Sequence, residues 1–322
     1  MPTKKLTKHV KKKVNKARKK HKWINVLLIV IVLAVGIYLY YDSLNQTDQN
    51  SYSSEQNSEG FYYYQTTSDG YYQTTQNLIG VSLKEELNDI LNDNFTPRSY
   101  QDAKTVLLES DLDPNNPNKL LGIYDSTLID NVWNGNVWNR EHVWPNSRLG
   151  IPRVSESTKN IGTDLHNLRV IEDRINSVRS NLYYVEGSGS GVKTGEGFYP
   201  GDDHKGDVAR ILFYMVTMYD HLNLSDTNID EGETYSMSMV TMGKLSLLLE
   251  WHKEDPVDEF EKNRNQVIYG AQGNRNPYID RPEFVHLIWE NKTIDELTKP
   301  VEDLTTYHQG FRVLSFHNTF IQ

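Results

Sequence analysis

Residues 1–22 hold eleven lysines and arginines and no acid, and they run directly into WINVLLIVIVLAVGIYLYY, nineteen residues from Trp23 to Tyr41 without a charge. As a helix rising ~1.5 Å per residue, such a run approaches the ~30 Å of a hydrocarbon core, so it predicts a single transmembrane anchor. Positive charge stays on the cytoplasmic side, which predicts a single-pass cell-membrane protein with its N-terminus inside and everything after Asp42 extracellular. The membrane is then a partner in its own right, with lipid headgroups facing the basic run. A cleaved signal peptide is the rival reading, because Ala34 and Gly36 are small, but the bulky IYLYY behind them speaks against it.

The whole chain carries −9, and residues 42–322 by themselves carry −20. Residues 140–210 are the exception, with ten basic and ten acidic side chains, so a polyanionic ligand would be met there. The absence of cysteine excludes disulfides, thiolate metal sites and a cysteine nucleophile.

Four segments follow: a basic cytoplasmic segment at 1–22, the anchor at 23–41, a disordered polar linker at 42–77 and one domain at 78–322. The linker is rich in Ser, Gln, Asn, Thr and Tyr and poor in aliphatic residues. In the domain, apolar periodicity predicts helices over Leu83–Asp93, Gly206–Leu222, Met242–Asp255 and the stretch VDEFEKNRNQVIYG. A last helix is predicted from DRPEFVHLIWEN, with Asp280 and Glu283 at capping-box spacing. Strands are predicted in NVWNREHVW, DLHNLRVI and NLYYVEG, and GSGSG at 187–191 reads as a mobile loop. The fold class is α+β, helix-rich with a small sheet.

The chemistry concentrates in NREHVWPNS (139–147), DLHNL (164–168) and EDRINSVRSN (172–181). Neighbours on a strand point to opposite faces, so Glu141 and His142 can share a site only at a bend or strand end, and Pro145 supplies a reason to stop. Asn176 and Arg179, three apart, share a helical face. If that helix crosses the strand end, one carboxylate and one amide oxygen converge, and such a small set of hard ligands suits Mg²⁺. His142 titrates near neutrality and suits a general base. Arg179 enters the catalytic set as a phosphate contact, with pairing to a carboxylate as its alternative.

Blander readings stand beside these. An isolated histidine like His142 would be a packed core residue, and His166 competes for the role of base. Asp207 and Arg210 read as an internal ion pair, while Asn274, Arg275 and Asp280 read as turn and cap chemistry. Trp133, Trp138 and Trp144 read as core, with base stacking as the alternative.

NREHVWP, DLHNL followed by N..R.N over 176–181, KGDVARILFYM at 205–215 and GNRNPYIDRPE at 273–283 occur in this order, and together they resemble the endonuclease I family of secreted bacterial nucleases, in the His-Me finger (ββα-metal) group. The resemblance implies a His-Me finger core within the mixed domain, with His142 as general base and Glu141 and Asn176 holding a divalent cation: Mg²⁺, or else Mn²⁺ or Ca²⁺. It implies an endonuclease cutting DNA, and often RNA, with little sequence preference and leaving 5'-phosphates. Some relatives carry disulfide loops, for which this cysteine-free chain has no assigned counterpart. The alternative from another class is a catalytically silent surface protein that binds nucleic acid.

Overall fold

The computed structural model describes residues 55–66, 70–133, 137–195, 197–226 and 240–300. All of these except Gly70 belong to one compact unit. Its helices are α1 (Gly80–Asp93), α2 (Tyr100–Ser110), α3 (Asp173–Arg179), α4 (Lys205–Met218), α5 (Leu245–Glu254), α6 (Glu259–Gln272), α7 (Pro277–Asp280), α8 (Glu283–Trp289) and α9 (Ile294–Leu297). The strands are short: β1 (Leu112–Asp113), β2 (Asn116–Leu121), β3 (Leu128–Asp130), β4 (Trp138–His142), β5 (Leu168–Glu172), β6 (Ser190–Thr194), β7 (Gly197–Gly201), β8 (Asn223–Leu224) and β9 (Thr241–Met242).

At the centre runs α4, whose residues from Gly206 to Met218 are all buried. An all-round apolar helix has nowhere to sit except inside a core, and α1, α5 and α8 surround this one with Leu83, Leu87, Leu248, Trp251 and Phe284. Arg210, on the same helix, is fully buried because Glu261 takes its guanidinium from α6 with two hydrogen bonds of 2.6 Å. Asp207 lies 3.7 Å from Arg210 but is held more closely by Arg169, at 3.0 Å.

β4 and β5 form an antiparallel pair in the register Trp138↔Glu172, Glu141↔Arg169 and His142↔Leu168, and α3 begins at the residue after β5. This ββα unit positions the site and is consistent with a His-Me finger-like core. Two expectations about strands fail locally. NLYYVEG forms no named strand, only a bridge from Tyr184 to Phe198, and GSGSG leads into the β6–β7 hairpin instead of staying a loop. Gly191 is needed there, since a Cβ on it would meet the Tyr124 carbonyl oxygen at 2.7 Å.

Helix α2, absent from the sequence reading, starts at Ser99, whose hydroxyl and Asp102 form a capping box. Asp280 does not cap α8. It closes α7 and pairs with Arg275 at 2.6 Å, while Pro282 occupies the N-cap position of α8. Where the polar linker is described, it is folded onto the domain: Tyr62 and Tyr72 are fully buried, and the Tyr62 amide donates to His286 Nε2 at 3.1 Å. Trp138 and Trp144 are core residues.

The transmembrane part of the expected fold class needs correction. Residues 1–41 lie outside the described residues, and among the described residues no helix is long and apolar enough to cross a membrane. The most apolar, α4, has 14 residues. At ~1.5 Å each it reaches roughly 21 Å, short of the ~30 Å required. The fold class is therefore a helix-rich mixed α+β domain, and the membrane as a partner and a single-pass cell-membrane location are withdrawn with the anchor.

Buried histidines generate a test of the packing. His252 is fully buried, its Nε2 donates to the Pro282 carbonyl at 3.0 Å, and its Nδ1 has no partner among the described residues. Burial, together with His286 and Arg210 nearby, holds this imidazole well below the ordinary histidine range. A depressed pKa means the unfolded chain takes up the proton first, so this group's contribution is complete above about pH 6.5 and is lost as pH falls. His252→Gln keeps a donor for Pro282 without the titration. We expect it to gain on the wild type by up to ~1.4 kcal/mol per pH unit between pH 6.5 and 5 in urea unfolding; parallel stability curves would show that the site does not penalise protonation.

Candidate active site

β4 brings Glu141 and His142 to its last two positions, and the strand cannot continue. Asn167, fully buried in the DLHNL stretch, accepts from the Trp144 amide at 2.7 Å, and Pro145 leads into a single turn of 3₁₀ helix at Asn146–Arg148. A cleft of ≈ 780 Å³ opens across this strand end and is lined by Glu141, His142 and Asn176 together. The strand's alternation shows in burial: Glu141 points inward at 3% exposure and His142 is half-buried, yet both reach the cleft because it lies across the end.

The orientation of His142 follows from its hydrogen bond. Nε2 lies 2.7 Å from the Gly162 carbonyl oxygen, which can only accept, so Nε2 carries the proton and Nδ1 keeps the lone pair. Among the described residues no group hydrogen-bonds Nδ1. Burial, followed by the charges of Arg140 and Arg153, pushes this imidazole down to about 4 against the pull of the Gly162 carbonyl, so it is neutral at working pH. Gly162 has to be small: a Cβ would come within 2.6 Å of Val154 Cγ1 and 2.9 Å of Ile151 Cδ1.

Glu141 is held from one side only. Its Oε1 accepts from the Tyr124 hydroxyl at 2.7 Å and lies 3.4 Å from Arg179 Nε, while Oε2 has no hydrogen-bond partner among the described residues. Burial raises the carboxyl to about 7, opposed by the Arg179 charge and the Tyr124 hydrogen bond. Tyr124 adopts a positive φ of 83°, a conformation costing a non-glycine residue ~1 kcal/mol or more. That strain directs its phenol into the pair of Glu141 and Tyr184, whose hydroxyl lies 2.8 Å away.

Arg179 does not line the cleft. It is fully buried, stacks on Tyr184 with its guanidinium carbon 4.4 Å from the ring centroid, and donates to the carbonyls of Leu182 at 2.6 Å and Val143 at 3.2 Å. The structure thus places it with a carboxylate, its alternative role. His166 is also remote: fully buried, with its Nε2 on the Asn274 carbonyl at 3.2 Å. The sequence reading missed Tyr124, Tyr100 and Arg153. Arg153 is exposed on the cleft and makes no ion pair or hydrogen bond among the described residues, whereas Arg140, also on the cleft, is paired with Glu156 at 3.0 Å. An Ile-Pro-Arg-Val stretch gives no sign of this, since only the loop's path brings it over β4.

A hard divalent cation fits these donors. Glu141 Oε2 and the Asn176 side-chain amide, neither hydrogen-bonded by the described residues, share the cleft, and both offer oxygen donors of the type such ions take. Among the described residues no three His, Cys, Asp or Glu side chains gather into a metal cage. Two protein donors, with water and substrate oxygens completing the shell, remain the fitting arrangement.

The profile of the Endonuclease I family matches residues 79–283, which includes every residue of this cleft. The chain belongs to the endonuclease I family. It is 39% identical over 237 residues to the "Extracellular ribonuclease" of Bacillus subtilis (strain 168), covering 69% of this chain and 78% of that protein. A protein of the same name from Bacillus amyloliquefaciens is 38% identical over 235 residues, 68% of this chain and 78% of its own. The "Endonuclease-1" of Buchnera aphidicola subsp. Baizongia pistaciae (strain Bp) is 32% identical over 131 residues, 37% of this chain and 46% of that protein. Membership makes this chain a nuclease with metal-dependent catalysis, and the silent binding protein is set aside.

The Glu141–Arg179 pair predicts its own failure. Arg179→Met would leave a buried carboxylate without its cation, which typically costs ~3–5 kcal/mol. We expect a loss of that order in urea unfolding, and a smaller one, ~1–3 kcal/mol, for Tyr124→Phe, which removes a single hydrogen bond to the carboxylate. A loss below ~1 kcal/mol for Arg179→Met would mean the pair is not sealed from water.

Proposed function

We propose that this nuclease hydrolyses internal phosphodiester bonds of RNA and DNA with little sequence preference, leaving 5'-phosphates, and that His142 is its general base. The observation that supports this most strongly is the tautomer imposed on His142: a neutral ring pinned at Nε2, with its lone pair on a cleft shared with Glu141 and Asn176. His142 Nδ1 takes a proton from a water molecule, the water oxygen bonds to phosphorus, and the bond from phosphorus to the 3'-oxygen breaks, with that oxygen gaining a proton from solvent. Glu141 and Asn176 would hold Mg²⁺, which when bound would neutralise charge at the phosphate and the leaving oxygen. Arg179 orients Glu141 and favours its ionised form against the effect of burial. Arg153, which has no carboxylate partner among the described residues, supplies a phosphate contact from the cleft lining.

RNA is the first substrate to try, because both relatives matched over most of their length are named ribonucleases. The purified full chain should cleave RNA and plasmid DNA and stop on addition of chelator. His142→Ala should lower kcat by ~10² to 10⁴ at any Mg²⁺ concentration, while Glu141→Ala and Asn176→Ala should regain part of their activity as Mg²⁺ is raised. Near-wild-type turnover in a folded His142→Ala protein would defeat the mechanism.

Charge sets a second expectation. With one unpaired arginine on the cleft, the dependence of binding on salt should be shallow, and Arg153→Ala should raise KM and reduce the logarithmic salt slope by about one, as for loss of one phosphate contact. An unchanged slope would remove Arg153 from the substrate path.

A further inference from the structure

We infer that Tyr100 is a positioning residue for the reaction: its ring holds the His142 imidazole in place and ties it to the loop that carries Arg153. The inference rests on the reading of His142 as the base. Arg140 and His142 are two apart on β4 and so share a face of the strand. Both meet the same ring, His142 at 5.6 Å between centroids with planes 27° apart, and Arg140 with its guanidinium carbon 3.4 Å from the ring centroid.

Tyr100 is itself fixed. It is the first residue of α2, directly behind the Ser99 capping box, and its amide donates to the Thr158 carbonyl at 3.0 Å. Arg140 continues the connection: it donates to the Tyr100 carbonyl and to Glu156 at 3.0 Å, and Glu156 lies three residues beyond Arg153.

The physical need is plain. A half-buried imidazole with one hydrogen bond can still pivot about it, whereas proton transfer requires the base within ~2.6–3.2 Å of the water it deprotonates. A flat aromatic surface against the ring removes that freedom. The Tyr100 hydroxyl makes no hydrogen bond among the described residues, and the contacts with His142 and Arg140 are made by its ring.

The test uses the full chain and RNA as probe. Tyr100→Leu should lower kcat by roughly 10- to 100-fold, the scale expected for a misplaced catalytic group, with KM changed about twofold at most, while Tyr100→Phe should restore near-wild-type kcat. In a His142→Ala background, Tyr100→Leu should have no further effect, because there is no imidazole left to hold. The ring-proton NMR signals of His142 should move in the Leu variant and stay in the Phe variant. Unchanged kcat in Tyr100→Leu, the same loss repeated in the double variant, or His142 signals unmoved by the Leu substitution would each overturn the positioning role. Wild-type turnover in His142→Ala alone would instead overturn the base assignment, and the NMR comparison would still decide whether Tyr100 holds the ring.

Discussion

A carboxylate taken out of water must be compensated, and in this protein the compensation of Glu141 is deliberately incomplete. One oxygen is taken by Tyr124 and faced by Arg179, and the other has no hydrogen-bond partner among the described residues. The protein thereby leaves a carboxylate that is oriented but not fully satisfied, as the proposed cation site requires. Much of the surrounding structure serves that half-satisfied group. The strained backbone at Tyr124, the stacking of Tyr184 on Arg179 and the carbonyls that take the remaining guanidinium hydrogens all hold the arginine and the phenol in place.

The strand pair beneath the site is anchored by a second buried ionic cluster. Asp111 receives Arg169 at 3.0 Å and the Val170 amide at 2.8 Å on one oxygen, and Arg264 at 3.0 Å on the other. Arg169 continues to Asp207 on α4. Since Arg169 stands opposite Glu141 in the ladder, β5 is fastened to α4 and α6 at the level where β4 offers its carboxylate. Every charge in the cluster has an opposite partner, so the low dielectric strengthens the contacts instead of penalising them. Specific geometry, more than net stability, is what such a cluster contributes.

The ordered motifs from NREHVWP to GNRNPYIDRPE carried the family, and the helical periodicities of α1, α4, α5 and α6 were readable because each puts apolar residues on a stripe or all around. Helix α2 was not picked out: its start rests on a capping box, Ser99 with Asp102, and it buries only Ala103, Leu107 and Ser110. The β6–β7 hairpin was hidden by glycines that suggest freedom in isolation but here permit close approach of backbone to the Tyr124 carbonyl. The basic N-terminal run and the apolar stretch behind it suggested an anchor by length and charge, but the described fold contains no helix able to serve as one.

For the site, residue type and spacing by themselves offered a strand end as the place where Glu141 and His142 could share a site and put Asn176 and Arg179 on one helical face, because strand alternation and helical repeat are local rules. Tertiary structure alone decided the partners. It buried Arg179 on Glu141 when sequence left phosphate and carboxylate open, sent His166 into the core, placed Tyr124 on the carboxylate from 17 residues away, and brought Tyr100 and Arg153 to the cleft from separate segments. Those outcomes depend on which segments meet in space and on where a buried charge finds its counter-charge, and neither is written in any local pattern of the chain.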